Sequence, residues 1–182
     1  MVDHHTMSRL DRWTDGFRWA AIALVAVATG CGGTQKGAQY DVLRPPDERT
    51  AITWITKAFR KEKLQAESGR TLKIGANATV TADVSAQDKP WSVVWLRADE
   101  QQELKGKLPK PPAGVADGAL WVHRGIGDDD DERMLILLEQ NYEYDPDPRG
   151  DKGVVVSVQE VEARVVRDVT DFLVRAKAGE IE

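Results

Sequence analysis

Thr71-Leu72-Lys73-Ile74-Gly75-Ala76-Asn77-Ala78-Thr79-Val80-Thr81-Ala82-Asp83-Val84 carries the pattern that decides the fold. Leu72 and Ile74 alternate with Thr71 and Lys73. After Gly75-Ala76-Asn77, the small or apolar Ala78, Val80, Ala82 and Val84 alternate with Thr79, Thr81 and Asp83. A period of two sends one set of side chains to a buried face and the other to water. The stretch therefore predicts two half-buried strands joined by a tight turn. Asp88-Lys89-Pro90 marks the next turn. Trp91-Ser92-Val93-Val94-Trp95-Leu96 then follows, apolar on both faces as a central strand requires.

Outward from this block the period becomes helical. Asp47 is a good N-cap, and the residues after it place Ile52, Ile55 and Phe59 on one stripe with Ala51, Trp54 and Ala58 beside it. Arg49, Thr53, Lys57, Arg60 and Lys61 fill the other side, giving an amphipathic helix expected to end near Ser68-Gly69. Past the central strand, Asp99 can cap a short helix carrying Leu104, and residues 107–112 form a proline-bearing loop. Residues 119–123 and 134–138 read as two more strands, the second the more deeply buried. Ser157 and Glu160 form a capping box, opening a long helix with Val158, Val161, Val165, Val169, Phe172 and Ala176 on its inner face. The economical arrangement is an α/β fold, with α+β as the alternative. It is a single mixed sheet of about five strands with an N-terminal and a C-terminal amphipathic helix packed on it.

Upstream of the domain the sequence changes kind. Arg9, Arg12 and Arg18 precede the uncharged residues 19–29, and Ala28-Thr29-Gly30 leads into Cys31, the one cysteine of the chain. Eleven uncharged residues fall short of the roughly 20 needed to span a bilayer, and the polar spacing of a soluble core helix is missing. A basic start, an apolar middle and a small-residue exit make a secretory signal. With cysteine first after the cut, the segment resembles the signal of bacterial lipoproteins, with Ala28 where that class commonly has Leu. The resemblance implies cleavage between Gly30 and Cys31 by signal peptidase II, a diacylglyceryl thioether on Cys31, and acylation of the new amine. Residues 1–30 would be the signal peptide, 31–46 the lipidated cysteine with a flexible tether ending at Pro45-Pro46, and 47–182 one globular domain. Tyr40, Val42 and Leu43 are the tether's sizeable apolar groups. Gly32, not aspartate, follows Cys31. In the lipoprotein class it resembles, an aspartate there retains the chain in the inner membrane, so the resemblance implies an outer-membrane position facing the periplasm, with the inner membrane or cell surface as alternatives.

Composition narrows the function classes. Removing thirty residues from the 182 leaves 152, enough for one core. The removed part holds three arginines and three aspartates, so the net charge stays at −5. That balance argues against nucleic acid, which is bound by clustered Lys and Arg. A lipidated Cys31 leaves no thiol for a disulfide or a nucleophile, and His123 is the one histidine of the mature chain. No cofactor is expected.

Several constellations invite chemistry. Asp145, Asp147 and Gly150 match positions one, three and six of an acidic calcium loop, but Arg149 and Val156 stand where the fifth and twelfth ligands belong. Asp128 to Glu132 is a run of five acids. Both segments read as solvated loops; Asp145, Asp147, Asp128 and Asp130 are the candidate ligands if a cation binds. Arg149-Gly150-Asp151 is too short to carry weight. Ser68, Ser85, Ser92 and Ser157 lie in no nucleophile elbow, so no catalytic residue is assigned. Trp91, Val93 and Trp95 share one strand face, which would be a partner site if no helix covered it.

The order helix, three strands, helix, strand over residues 47–123 resembles, in topology, the core of the PD-(D/E)XK nuclease superfamily. The resemblance implies a metal-binding aspartate on the second strand, where Asp83 lies, and a Glu-x-Lys on the third. Trp95-Leu96-Arg97 stands there instead. The expectation is a non-catalytic binding or scaffold domain held at a membrane through lipid on Cys31, with other envelope proteins as partners. The alternative is a degenerate or unrecognised hydrolase domain of the nuclease-like kind.

Overall fold

The computed structural model describes residues 43–108, 110, 113–114, 119–146 and 156–181. Cys31, Gly30 and Asp147 lie outside these residues, as do the whole of the expected signal segment and most of the expected tether.

Helix α1 (Glu48–Lys61) starts as the sequence requires: the Thr50 N–H donates to Asp47 Oδ1 at 2.9 Å. It stops well before Ser68. Lys63 takes a left-handed conformation at φ 59°, its N–H donates to Arg60 O, and the Leu64 N–H reaches back to Phe59 O at 2.9 Å. This is a Schellman stop made with lysine where glycine is usual. The chain it frees forms β1 (Ala66–Glu67), a strand that the helical periodicity concealed.

Strands β2 (Arg70–Gly75) and β3 (Ala78–Ala82) form the expected hairpin, with Thr71 opposite Thr81 and Leu72 opposite Val80. The alternation does not run unbroken to Val84, however. Asp83 interrupts it, and β4 (Val84–Ala86) belongs to a different sheet. That sheet has five strands in the order β1-β4-β5-β7-β6, with β5 (Trp91–Leu96) at its centre, β6 (Trp121–Arg124) at an edge and β7 (Arg133–Leu138) between them. The β5–β7 pair is parallel and the other pairs are antiparallel, so the sheet is mixed. The short helix α2 (Ala98–Glu103) has Arg97, not Asp99, at its N-cap. Helix α3 (Val158–Ala178) begins at Ser157, whose hydroxyl accepts the Glu160 N–H, and ends on left-handed Gly179.

The sheet is the middle of three layers. On one side α1 and α3 pack Trp54, Ile55, Phe59, Val161, Val165, Val169 and Phe172 against Val93, Trp95, Leu135 and Leu137. On the other the β2–β3 hairpin lays Leu72, Ile74, Ala78 and Ala82 on Val94, Leu96, Met134, Ile136 and Leu138. Each large apolar side chain removed from water in these two cores contributes about 1.5–3 kcal/mol. The Trp91, Val93, Trp95 face is thus covered by the helices and is core, not a partner surface.

Folding begins before Asp47. Arg44 exchanges two backbone hydrogen bonds with Tyr144, at 3.1 and 3.0 Å, and its guanidinium sits over the Tyr144 ring, while Pro46 is buried. The last residues assigned to the tether are therefore docked on the domain.

Candidate functional site

The parallel strands β5 and β7 end side by side, Leu96 opposite Leu138, so the residues after them emerge at one end of the sheet. Sites in such folds tend to sit beyond the carboxyl ends of parallel strands. Here those residues are Arg97 and Glu139, and the N-terminus of α1 brings Glu48 to meet them. Arg97 lies 3.0 Å from Glu48 Oε2 through Nη1, 3.4 Å from Asp99 through Nε and 3.4 Å from Glu100 through Nη2. Glu100, then Asp99, then Glu48 and Glu139 hold its guanidinium more firmly charged than usual. Glu139 Oε1 accepts the Ala98 N–H at 2.6 Å, and Glu100 Oε2 accepts the Arg97 N–H at 3.1 Å. These bonds fix the start of α2 against both strand ends.

Two cavities open at this end. One of about 470 Å³ is bounded by Arg44, Asp47, Glu48, Arg97, Glu139 and Tyr144. The other, about 210 Å³, lies between the hairpin and α2 and is lined by Thr79, Thr81, Asp83, Glu100, Glu103 and Leu104. Asp83 is its most perturbed group. Burial pushes its carboxyl up to about 6, and the charges of Glu48 and Glu100 add to this, while the bond from the Trp95 N–H to Oδ2 at 2.7 Å opposes it. Strong perturbation in a cleft marks a functional candidate.

Asp83 lies beside Trp95-Leu96-Arg97, but those three side chains diverge. Trp95 packs into the helix-side core, its ring 5.4 Å from that of Tyr142, and Leu96 enters the opposite core. Arg97 turns to the carboxylates. Among the described residues, no three His, Cys, Asp or Glu side chains are grouped so as to hold a metal ion.

The other sequence candidates are dispersed. Asp128 is exposed, and Asp130 lies 3.7 Å from Arg124 Nη2. The Asp145 N–H donates to Val156 O at 3.0 Å. His123 Nε2 lies 3.3 Å from the Ile74 carbonyl, tying β6 to the hairpin. The acidic run is not wholly solvated, contrary to its reading as a surface loop. Asp129 Oδ2 accepts the Lys73 N–H at 2.9 Å, and Glu132 is 9 % exposed. Gly125 lets the run fold this close, since a Cβ there would collide with the Asp129 carbonyl.

Sequence reasoning missed two buried polar networks. In the first, Arg70 Nη1 lies 2.7 Å from Glu132 Oε1 and Nη2 lies 2.6 Å from Glu67. Ser92 donates to Glu132 Oε2 at 3.4 Å and lies 2.9 Å from Ser85, both hydroxyls fully buried. Burial raises the Glu132 carboxyl, and the Arg70 charge opposes that rise. The network latches the start of the hairpin to the five-stranded sheet. In the second, Tyr142 donates to Asp168 Oδ2 at 2.9 Å and Arg167 Nε to Oδ1 at 3.0 Å. Asp168 sits on the inner stripe of α3, where the spacing offered a polar position among valines; only its three-dimensional partner makes sense of it. No family model matches this chain, and comparison with curated proteins and with solved structures gives no match.

Proposed function

We propose that this chain is a lipid-anchored bacterial envelope protein whose folded domain acts by binding a partner. The order Arg9, Arg12, Arg18, then uncharged residues 19–29, then Ala28-Thr29-Gly30-Cys31 carries the reading. Cys31 takes the lipid, and acyl chains each contribute about 0.8 kcal/mol per buried methylene, so two or more hold the chain firmly. The open, polar end of the sheet, with Arg97 ringed by carboxylates beside two cavities, is the surface offered to another envelope protein. Gly32 favours the outer membrane facing the periplasm. Intact-mass analysis of the chain purified from bacterial membranes tests the anchor. A mature chain starting at Cys31 and carrying acyl mass is expected; an unmodified thiol at residue 31 counts against it.

A degenerate hydrolase is the second reading, favoured by one observation: Asp83, with its raised carboxyl, lines a cavity at the end of a central strand. Titrating magnesium or calcium while following tryptophan emission tests it. No change at millimolar metal removes it.

A further inference from the structure

Asp83 is the one residue between β3, which belongs to the hairpin, and β4, which belongs to the five-stranded sheet. Where the chain crosses between them, β5 loses a backbone neighbour. Val84 pairs with Val93, but Ala82 pairs with Arg70 inside the hairpin. The Asp83 N–H still donates to Val93 O at 3.0 Å, and its carboxylate takes the Trp95 N–H that the departed strand no longer meets. A side chain thus stands in for a missing stretch of strand.

We propose that Asp83 is a proton-controlled clamp between the hairpin and the five-stranded sheet, tight when its carboxyl is protonated and looser when it is ionised. The charged groups around it come from two elements, Glu48 from α1 and Glu100 and Glu103 from α2. Arg97 is already engaged by Glu48, Asp99 and Glu100. β3 and β5 offer Thr79, Val80, Thr81, Val94, Trp95 and Leu96 to the shared cavity, none of them charged. An ionised Asp83 therefore adds a negative charge to a half-buried corner already crowded with carboxylates. A protonated one keeps an oxygen to accept the Trp95 N–H.

The raised carboxyl fits this geometry and fixes the direction. The folded value, about 6, lies above the ordinary 3.8, so the folded state holds the proton more tightly than the unfolded chain does. The clamp's contribution is complete below about pH 4 and is lost as pH rises through about 6. The full shift corresponds to roughly 150-fold in an equilibrium constant between the two pH extremes, of which about tenfold falls between pH 5 and pH 7.5. The device works whether or not the chain is membrane-bound.

Hydrogen exchange of the hairpin amides in the purified full chain, corrected for intrinsic rates, tests it at pH 5 and 7.5, with NMR titration of the Asp83 carboxyl alongside. Protection about tenfold lower at pH 7.5, with an Asp83 titration midpoint near 6, is expected. Asp83→Asn should show equal protection at both values, and Glu100→Gln should move the midpoint downward. Protection independent of pH in the natural chain, or a pH dependence that survives Asp83→Asn, overturns the clamp. If Asp83→Asn does not fold, an unmoved midpoint in Glu100→Gln overturns it.

Discussion

Tyr142→Phe probes the deepest polar contact of the helix-side core. Tyr142 and Asp168 are each 5 % exposed, and the phenol donates to Oδ2 at 2.9 Å. Arg167 bonds the other oxygen, Oδ1, through both Nε and Nη2 at 3.0 Å, so removing the hydroxyl orphans Oδ2. Phenylalanine keeps the ring and its contact with Trp95, so the loss isolates one hydrogen bond to a charged acceptor, about 1.5–3 kcal/mol. With a urea slope of roughly 2 kcal/mol per molar for a domain of this size, the midpoint should fall by about 1 M. Tryptophan emission in urea is the natural assay, because Trp95 abuts the altered ring. Burial, then the Asp168 charge, pushes the phenol well above its ordinary range, so the donor keeps its proton and the loss should be the same at pH 6 and pH 9. A loss under about 0.5 kcal/mol, less than an ordinary hydrogen bond contributes, would show that Asp168 finds another partner. Strong non-additivity between Tyr142→Phe and Asp168→Ala should accompany the expected result.

Two further substitutions follow from local geometry. Lys63→Gly relieves a left-handed lysine at the end of α1 and should raise stability by about 0.5–1 kcal/mol; a thermal melt showing destabilisation would contradict the Schellman assignment. Arg70→Met removes the cation from beside Glu132, which is 9 % exposed, and should cost about 2–4 kcal/mol at pH 7. The added substitution Glu132→Gln should recover part of that loss, and no recovery would mean that the latch is not electrostatic.

What the sequence discloses here is periodicity, and periodicity sees one element at a time. Asp47 and Ser157 are local signals and cap their helices, Ser157 through its own hydroxyl, and the stripes of α1 and α3 are buried as read except at Ile52, Val158 and Ala176, which stay partly exposed. Trp91 to Leu96 is apolar on both faces because it is packed by helices on one side and the hairpin on the other. The exit from α1 was hidden because Lys63 adopts a conformation that its residue type does not announce. The division at Asp83 was hidden because alternation continues through it while the strand partner changes from Arg70 to Val93. Glu132 looked like the last member of a solvated run, and only the distant Arg70, Ser85 and Ser92 draw it inside. The cluster around Arg97 was illegible for the same reason, since Glu48, Glu100 and Glu139 come from three separate elements and meet only at the end of the sheet.

Cys31→Ser puts the central claim to its most direct test, by membrane fractionation of the natural and substituted full chains expressed in bacteria. The natural chain should pellet with membranes and be released by detergent. The serine variant should lose its acyl mass, escape signal peptidase II processing and no longer give a detergent-released mature form. Unchanged processing and membrane retention in the serine variant would contradict the lipid anchor.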